Sequence, residues 1–373
     1  MAAAAVTLMC AAMFVGAGCA GGAGSVTTTQ PGVQSTATQP AQGKTSIRVL
    51  YAGSLIIPFA QLEKEFEAAE PNIDVNMEGH GSIQVIRHVS DLHESADVLI
   101  TADYNLIPML LYQVSDPDTG RKYADWYAIF ATNEMVLAYT DKSAHASEIN
   151  ADNWYDIINR SDVRLGCADP RLDANGYRAL MMMTLAENYY QKPGLFAETF
   201  GDKFRYPIRV TTSAGNALVK VPEVLETKSG SRLIVRPYSV ELLPLLESGD
   251  LDYSFEYASV AKQHGMKYLT LPPEVNLGNP AYAATYSKVT VKLDFQRFAS
   301  VKPEFLGEAI RYGVTIPSNA REPEAAAKFL AYLLGPEGQR IMAQNSQPMI
   351  TPALANNIDA IPEAIKALCT PGD

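Results

Sequence analysis

Residues 47–102 read IRVLYAGSLIIPFAQLEKEFEAAEPNIDVNMEGHGSIQVIRHVSDLHESADVLITA. Two periodicities alternate along this stretch. Ile47, Val49 and Tyr51 repeat every second residue, as a strand does, until Gly53-Ser54 interrupts them. Pro58 suits a first helical turn, and Phe59, Leu62 and Phe66 then recur at helical spacing. Ile73, Val75 and Met77 form a second alternating strand that stops at Gly79-His80-Gly81-Ser82. A second helix follows, with Ile86, Val89 and Leu92 as its expected inner face. Asp97 to Ala102 reads as a compact apolar strand. This βαβαβ opening predicts an α/β fold whose sheets are mostly parallel, with helices on both faces.

The rest of the body has the same character. Asn133 to Tyr139 reads as a strand that crosses between two lobes. Residues 175–190 form a helix, Leu233-Ile234-Val235 a short strand, Val240 to Glu247 a helix stopped by Gly249, and Asp252 to Tyr257 another strand. Tyr312 to Ile316 reads as the crossing back, and the helix Pro323 to Leu334 closes the first lobe. The expected lobes are 46–132 with 316–366, and 133–315. No internal repeat and no spanning helix is visible after residue 19.

The amino-terminal end differs sharply. Residues 1–18 are apolar and small, too short for a bilayer span and suited to a signal peptide core. Gly16-Ala17-Gly18-Cys19 resembles a lipoprotein cleavage box, with Cys19 as the lipidated residue; ordinary secretion with nearby cleavage is the alternative. No Lys or Arg precedes the apolar core. Residues 20–45 carry no aromatic side chain and no charge before Lys44, so they read as a disordered tether. The expected location is the outer face of the cell membrane, held there by lipid. Cys167 and Cys369 remain in the mature chain, and their pairing is not readable from sequence.

Composition excludes some classes. Hydrophobic residues at 47% and charged residues at 19% describe a globular chain. A formal charge of −11 argues against nucleic-acid binding, which needs a basic face. A small anion is not excluded, because local amide dipoles hold anions inside acidic proteins.

Gly53-Ser54 and Gly81-Ser82 each stand at a strand-to-helix junction. In a parallel sheet such junctions lie at the carboxyl ends of the strands, where ligands bind. Each serine brings a hydroxyl and adjoins free N–H groups at a helix start, an anion-binding arrangement. Either serine alone reads first as an N-cap, and two at successive junctions shift the reading toward a shared site. Other motifs carry less. Ser259-Val260-Ala261-Lys262 fits S-x-x-K and leaves open a serine acyl-transfer enzyme, but Lys228-Ser229-Gly230 precedes it and no S-D-N lies between. His80, His88 and His93, with Asp91 and Glu94, match no standard zinc spacing. Asn159-Arg160-Ser161 is a weak glycan acceptor motif. Gly16, Gly18 and Gly21 fit G-x-G-x-x-G without the strand and helix that motif needs.

Longer strings carry a resemblance. Val49 to Leu55 with Pro58-Phe59, Gly81-Ser82, Ala102-Asp103-Tyr104 and Leu106-Ile107-Pro108 are similar to the archaeal tungstate/molybdate-binding proteins of ABC importers. So are Ala124 to Tyr127, Phe130 to Glu134, Asp152 to Tyr155, Asp169-Pro170, Leu172-Asp173, Gly176-Tyr177-Arg178 and Ser259 to His264. The resemblance runs from about Ile47 to about Pro352. It implies a type II periplasmic-binding-protein fold, with two lobes, a central cleft and closure by hinge motion. It also implies oxyanion capture without chemistry or a cofactor, and docking on a permease driven by ATPase subunits. The implied oxyanion-binding residues are Gly53, Ser54, Ser82, Asp173, Ala174, Asn175, Ser239 and Tyr257.

One position departs from the family. Members carry a glutamate near the start of a second-lobe helix, and Ser239 stands there here. A carboxylate repels a dianion unless its oxygen bonds the metal centre directly. Tungsten and molybdenum accept extra oxygen neighbours, and sulfur in sulfate does not, so cleft carboxylates select the metal oxyanions. Asp173 is retained for that direct contact with tungsten or molybdenum. Glu241 and Glu256 are the nearby acids open as substitutes for it, Glu256 counting as a further candidate for the oxyanion site, although Glu241 would point elsewhere on its helix and Glu256 would ordinarily face away from Tyr257 on its strand. Bland readings coexist: Asp173 and Ser239 as N-caps, Tyr257 as core, and Arg178 in a structural ion pair. The rival functions are a receptor for sulfate, phosphate or ferric iron, the Ser259/Lys262 enzyme, and a surface adhesion protein.

Overall fold

The computed structural model describes residues 43–294 and 303–372. The expected signal peptide, the lipidated Cys19 and residues 20–42 of the tether lie outside the described residues. β1 begins at Thr45, just inside the end of the expected tether.

The first lobe opens as the periodicity predicts. β1 (Thr45–Ala52) leads through a short 3-10 turn into the helix Ile56–Ala69. β2 (Ile73–His80) leads into the helix Ser82–Ser90, and β3 (Val98–Thr101) follows. Leu92 departs from expectation: the helix ends at Ser90, His93 takes a left-handed φ of 58°, and Leu92 is 61% exposed. Ile83, Val85, Ile86 and Val89 form the buried face instead. β4 (Ala128–Thr132) completes this run of the chain.

The chain then crosses at Asn133-Glu134 into β5 (Met135–Tyr139) and β6 (Leu165–Ala168). The helix Ala174–Tyr189 follows, then β7 (Arg209–Ser213), β8 (Asn216–Pro222) and β9 (Leu233–Arg236). The helix expected over Val240–Glu247 is split into a 3-10 turn, Ser239–Leu242, and a short α-helix, Leu243–Ser248. Pro244 has no N–H to continue the ladder there. Gly249, at φ 84°, ends it as expected. β10 (Tyr253–Tyr257) runs into the helix Ala258–Gln263, and β11 (Lys267–Thr270), β12 (Val289–Asp294) and β13 (Glu304–Leu306) come next. β14 (Arg311–Thr315), the helix Pro323–Leu334, β15 (Met349–Ala355) and β16 (Cys369–Pro371) end the chain.

Among the described residues three sheets result, in the orders β16-β15-β4-β14-β3-β1-β2, β11-β5-β10-β6-β9 and β13-β12-β8-β7. They are mixed, which corrects the expectation of mostly parallel sheets. β1 pairs in parallel with β2 and β3, but β14 inserts antiparallel between β3 and β4, and β5 runs antiparallel to β10. The cause is the double crossing: strands that return from the other lobe enter a sheet in the opposite sense. β14 also moves the lobe boundary. Residues 311–315, expected in the second lobe, are a strand of the first sheet, and β16 extends that sheet past residue 366.

The central strands are buried on both faces. Ile47, Val49, Leu50, Val98, Leu99 and Ile100 have no solvent-exposed surface. Each such side chain contributes about 1.5–3 kcal/mol of burial free energy, so the carboxyl ends of β1 and β3 are anchored in the core. Cys167 and Cys369 are both free thiols and both buried. Among the described residues no helix is long and apolar enough to cross a membrane.

Candidate functional site

Both Gly-Ser steps sit where adjacent parallel strands end. Ser54 is buried, and its Oγ lies 2.9 Å from the Tyr312 hydroxyl. That hydroxyl also accepts from Asn133 Nδ2 at 3.1 Å, at the crossing between lobes. Ser82 is fully buried, and its Oγ accepts the Ala102 N–H at 2.9 Å, joining the start of the second helix to the end of β3.

The second lobe comes close to both junctions. A Cβ on Gly53 would stand 3.1 Å from Tyr238 Cδ2, and one on Gly81 would stand 2.5 Å from the Leu172 carbonyl oxygen. Glycine is therefore required for this approach, not for an unusual backbone angle. The Leu172 carbonyl accepts from Ile83 N–H at 3.1 Å and Gln84 N–H at 3.3 Å. A second-lobe oxygen thus caps the first-lobe helix, satisfying donors that the helix itself leaves free.

Asp173 follows Leu172 and is the N-cap of the helix Ala174–Tyr189. Its Oδ1 accepts Asn175 N–H at 3.2 Å and its Oδ2 accepts Ser239 N–H at 3.0 Å. Ser239 in turn donates its hydroxyl to Glu256 Oε1 at 2.9 Å. Glu256 Oε1 also accepts Tyr257 N–H at 2.8 Å, and Asn175 Nδ2 lies 3.5 Å away. Glu256 Oε2 and Asn175 Oδ1 are buried without a partner. Such orphaned polar atoms are costly and mark a place where something else binds.

Burial raises both acids. Desolvation pushes Asp173 up to about 6, against the pull of its N–H donors and of the Arg178 charge. Desolvation pushes Glu256 up to about 8, and the nearby Asp173 adds to the shift. Ala174 is wholly buried in the first turn of the same helix.

Plain alternation along β10 would turn Glu256 away from Tyr257, yet both reach the first turns of one helix, and this candidate acid stands beside Ser239. Glu256 bonds near Asn175, and the Tyr257 hydroxyl accepts from Arg178 Nη1 at 2.9 Å. Strict alternation fails because β10 ends at Tyr257 and the backbone turns into a helix at Ala258, letting Glu256 fold back onto its own neighbour's N–H. Arg178 is buried, donates to the Ala102 carbonyl at 2.7 Å, and has Nη2 3.6 Å from Asp103 Oδ2. Tyr177 also donates to Asp103 Oδ2. Asp103, Tyr177, Tyr312 and Asn133 had no assigned role in the sequence reading. The available signal for Asp103 was its place just beyond β3, at the same sheet end as the two serines.

Residues of the competing motifs have structural partners. Ser259 is buried and its Oγ accepts from Asn133 Nδ2 at 2.8 Å, while Lys262 Nζ lies over the Tyr268 ring. His80 and His88 stack on each other, and His93 Nδ1 bonds the Tyr123 hydroxyl. Among the described residues no three His, Cys, Asp or Glu side chains are grouped to hold a metal ion. The Asn159 amide donates to Tyr155 and Thr199, so it is committed to structure.

The chain has relatives of known kind. It is 40% identical to the molybdate/tungstate-binding protein WtpA of Thermococcus kodakarensis over 87% of each chain. It is 39% identical to the WtpA of Pyrococcus abyssi, over 89% of this chain and 92% of that one. The periplasmic molybdate-binding protein of Azotobacter vinelandii superposes with a TM-score of 0.52 at 12% identity, over 81% of this chain and 98% of that one, a likeness of fold alone. The profile of the bacterial extracellular solute-binding proteins matches residues 47–345. On the match across most of its length and on its two-lobed α/β architecture, the chain belongs to the bacterial extracellular solute-binding protein family.

Proposed function

We propose that this protein captures tungstate or molybdate between its lobes and delivers it to an ABC permease. The observation that carries the reading is the pairing of two buried carboxylates, Asp173 and Glu256, with Glu256 Oε2 left without a partner. A dianion held only by hydrogen bonds gains nothing from such neighbours. A tungsten or molybdenum centre does, because a carboxylate oxygen bonds it directly. Each Asp173 oxygen accepts one N–H and keeps a second lone pair for the metal centre. Ser54 and Ser82 supply hydroxyls from the first lobe, and Gly53 and Ala174 let the backbone come close. Asn175, Ser239 and Tyr257 frame the second-lobe side. The two molybdate/tungstate-binding relatives support the same class.

The oxyanion is cargo, so no resident cofactor is needed, and the carboxylate contact is a reversible coordination that is undone on release. The protein works outside the cytoplasm, tethered to the membrane through lipid on Cys19, with the permease and its ATPase subunits as partners.

Calorimetric titration of residues 43–373 with tungstate, molybdate and sulfate tests this, repeated on Asp173→Ala. Tight binding of the metal oxyanions, silence with sulfate, and loss of that contrast in the variant are expected. Equal binding of all three makes it a hydrogen-bonding receptor for oxyanions at large. No heat with any of them overturns the reading.

A further inference from the structure

We propose that Asp103 is a positioning residue that locks the two lobes over the bound oxyanion; this rests on the receptor reading above. Asp103 stands in the first lobe, two residues past β3. Its two oxygens are divided between the lobes. Oδ1 accepts the Asn105 N–H of its own loop at 3.1 Å, which fixes the carboxylate before any closure. Among the described residues Oδ2 receives second-lobe groups: the Tyr177 hydroxyl, and the Arg178 guanidinium with Nη2 at 3.6 Å. Arg178 Nη1 spans the same boundary to the Ala102 carbonyl at 2.7 Å.

This knot is buried, with Asp103 5% and Arg178 3% exposed. A buried ion pair recovers its desolvation cost only when its partners are all in place. Separation of the lobes returns Asp103 and Arg178 to water; closure strips that water away. Closure by this knot alone therefore roughly breaks even, and another interaction across the cleft tips it.

The geometry points to the ligand as that interaction. Tyr177 and Arg178 lie on the helix whose N-cap is Asp173, one turn away from it. Arg178 Nη1 also donates to the Tyr257 hydroxyl, so it touches a candidate binding residue and the lock at once. Phe305 stacks flat on Tyr177 with centroids 4.0 Å apart, holding that ring toward Asp103. An oxyanion that draws Asp173 and Tyr257 into place brings Tyr177 and Arg178 onto Asp103 in the same movement. The lock then governs how slowly the oxyanion leaves, and hardly how fast it arrives, as expected for contacts formed after encounter.

The test is stopped-flow tungstate binding and release on wild type, Asp103→Asn and Asp103→Ala, with small-angle scattering of each, free and loaded. Asn keeps an acceptor and loses the charge. The expected result is an off-rate raised about tenfold in Asp103→Asn and about thirtyfold or more in Asp103→Ala. On-rates should stay within about twofold, and tungstate-induced compaction should shrink in the same order. An off-rate and compaction unchanged in Asp103→Ala overturn the proposal. So does a drop in on-rate that matches the rise in off-rate, since that is general damage to the fold. If the wild type binds neither tungstate nor molybdate, the receptor reading fails. The lock is then judged on the free protein alone, where Asp103→Ala must scatter as a more open molecule, and an identical profile rejects it.

Discussion

The Ser239 hydroxyl donates to Glu256 Oε1 at 2.9 Å, and this bond places a second carboxylate at the site from a different element. Ser239 occupies the position where the family resemblance implies a glutamate. Its small side chain leaves room for Glu256, on β10, to reach the same region and to be held there. Two predictions separate this from coincidence. Ser239→Glu alone sets a new acid against Glu256 in a buried space and should lower tungstate affinity at least about tenfold, like charges within such a site being mutually destabilising. Ser239→Glu with Glu256→Ser exchanges the two positions and should recover most of that loss in calorimetry. If the double variant binds no better than the single one, Glu256 is not the counterpart of the missing glutamate.

Glu256 also fixes a pH dependence. Its pKa is pushed up to about 8 from an ordinary 4.5, and that of Asp173 up to about 6 from 3.8, both chiefly by burial. An acid with a raised folded pKa holds its proton more tightly in the folded chain than in the unfolded one. Its contribution to stability is complete below the unfolded pKa and is lost as pH rises through the folded pKa. The ligand-free protein should therefore lose stability from about pH 4 to about pH 8, the part above about pH 6 belonging to Glu256. Glu256→Gln cannot ionise, so its melting temperature should stay flat across that upper range while the wild type falls by several degrees. Superimposed melting curves would refute the assignment.

Much of this arrangement was legible in residues 47–102 because it depends on local patterns. The alternation of Ile47, Val49 and Tyr51 and the helical spacing of Phe59, Leu62 and Phe66 report burial that a strand and a helix impose directly. The Gly-Ser junctions follow, since parallel strands of one sheet end at one edge. What was not legible depends on the path of the chain in three dimensions. The placement of β14 in the first sheet needs the location of the return crossing, which no periodicity encodes. Glu256 is only one of two candidate acids in the sequence, because alternation holds inside a strand and fails at its last residues. Asp103 and Tyr177 are 74 residues apart and meet across two lobes, a contact that a single sequence does not announce.

Asp97 provides a structural control outside the site. Its Oδ1 accepts the N–H groups of Arg321 and Glu322, and its Oδ2 accepts that of Arg48, all at 2.8 Å. It thereby pins the approach to the helix Pro323–Leu334 onto β1. Asp97→Ala strands three N–H groups, and the cost should be about 3 kcal/mol, given roughly 1–3 kcal/mol for each buried donor left unpaired and partial relief by water. Chemical denaturation should show that loss. Tungstate on- and off-rates of the folded fraction should match the wild type, because none of these contacts touches the cleft. A change in off-rate as large as that in Asp103→Ala would show that lobe closure responds to any loss of stability.

Gly81→Ala should act in the opposite way, on closure without harm to the fold. Gly81 has φ −62° and ψ 142°, a conformation alanine adopts freely. The three nearest obstacles to an added Cβ are the Leu172 oxygen at 2.5 Å, the Leu172 carbonyl carbon at 3.0 Å and the Asp173 Cβ at 3.2 Å, all in the second lobe. Within the first lobe, then, the substitution is permitted, and it even reduces the freedom of the unfolded chain by about 0.4–1 kcal/mol. The methyl group collides only when the lobes meet. It pushes back the carbonyl that caps Ile83 and Gln84, and with it the adjoining Asp173. The ligand-free melting temperature should stay level or rise slightly, while the tungstate off-rate rises about tenfold or more, 1.4 kcal/mol of lost closure being enough for that factor. Loaded Gly81→Ala should also scatter as a less compact particle than the loaded wild type. Wild-type release from this variant would mean that the Leu172 approach to Gly81 is absent from the oxyanion complex, and that the cleft closes by some other path.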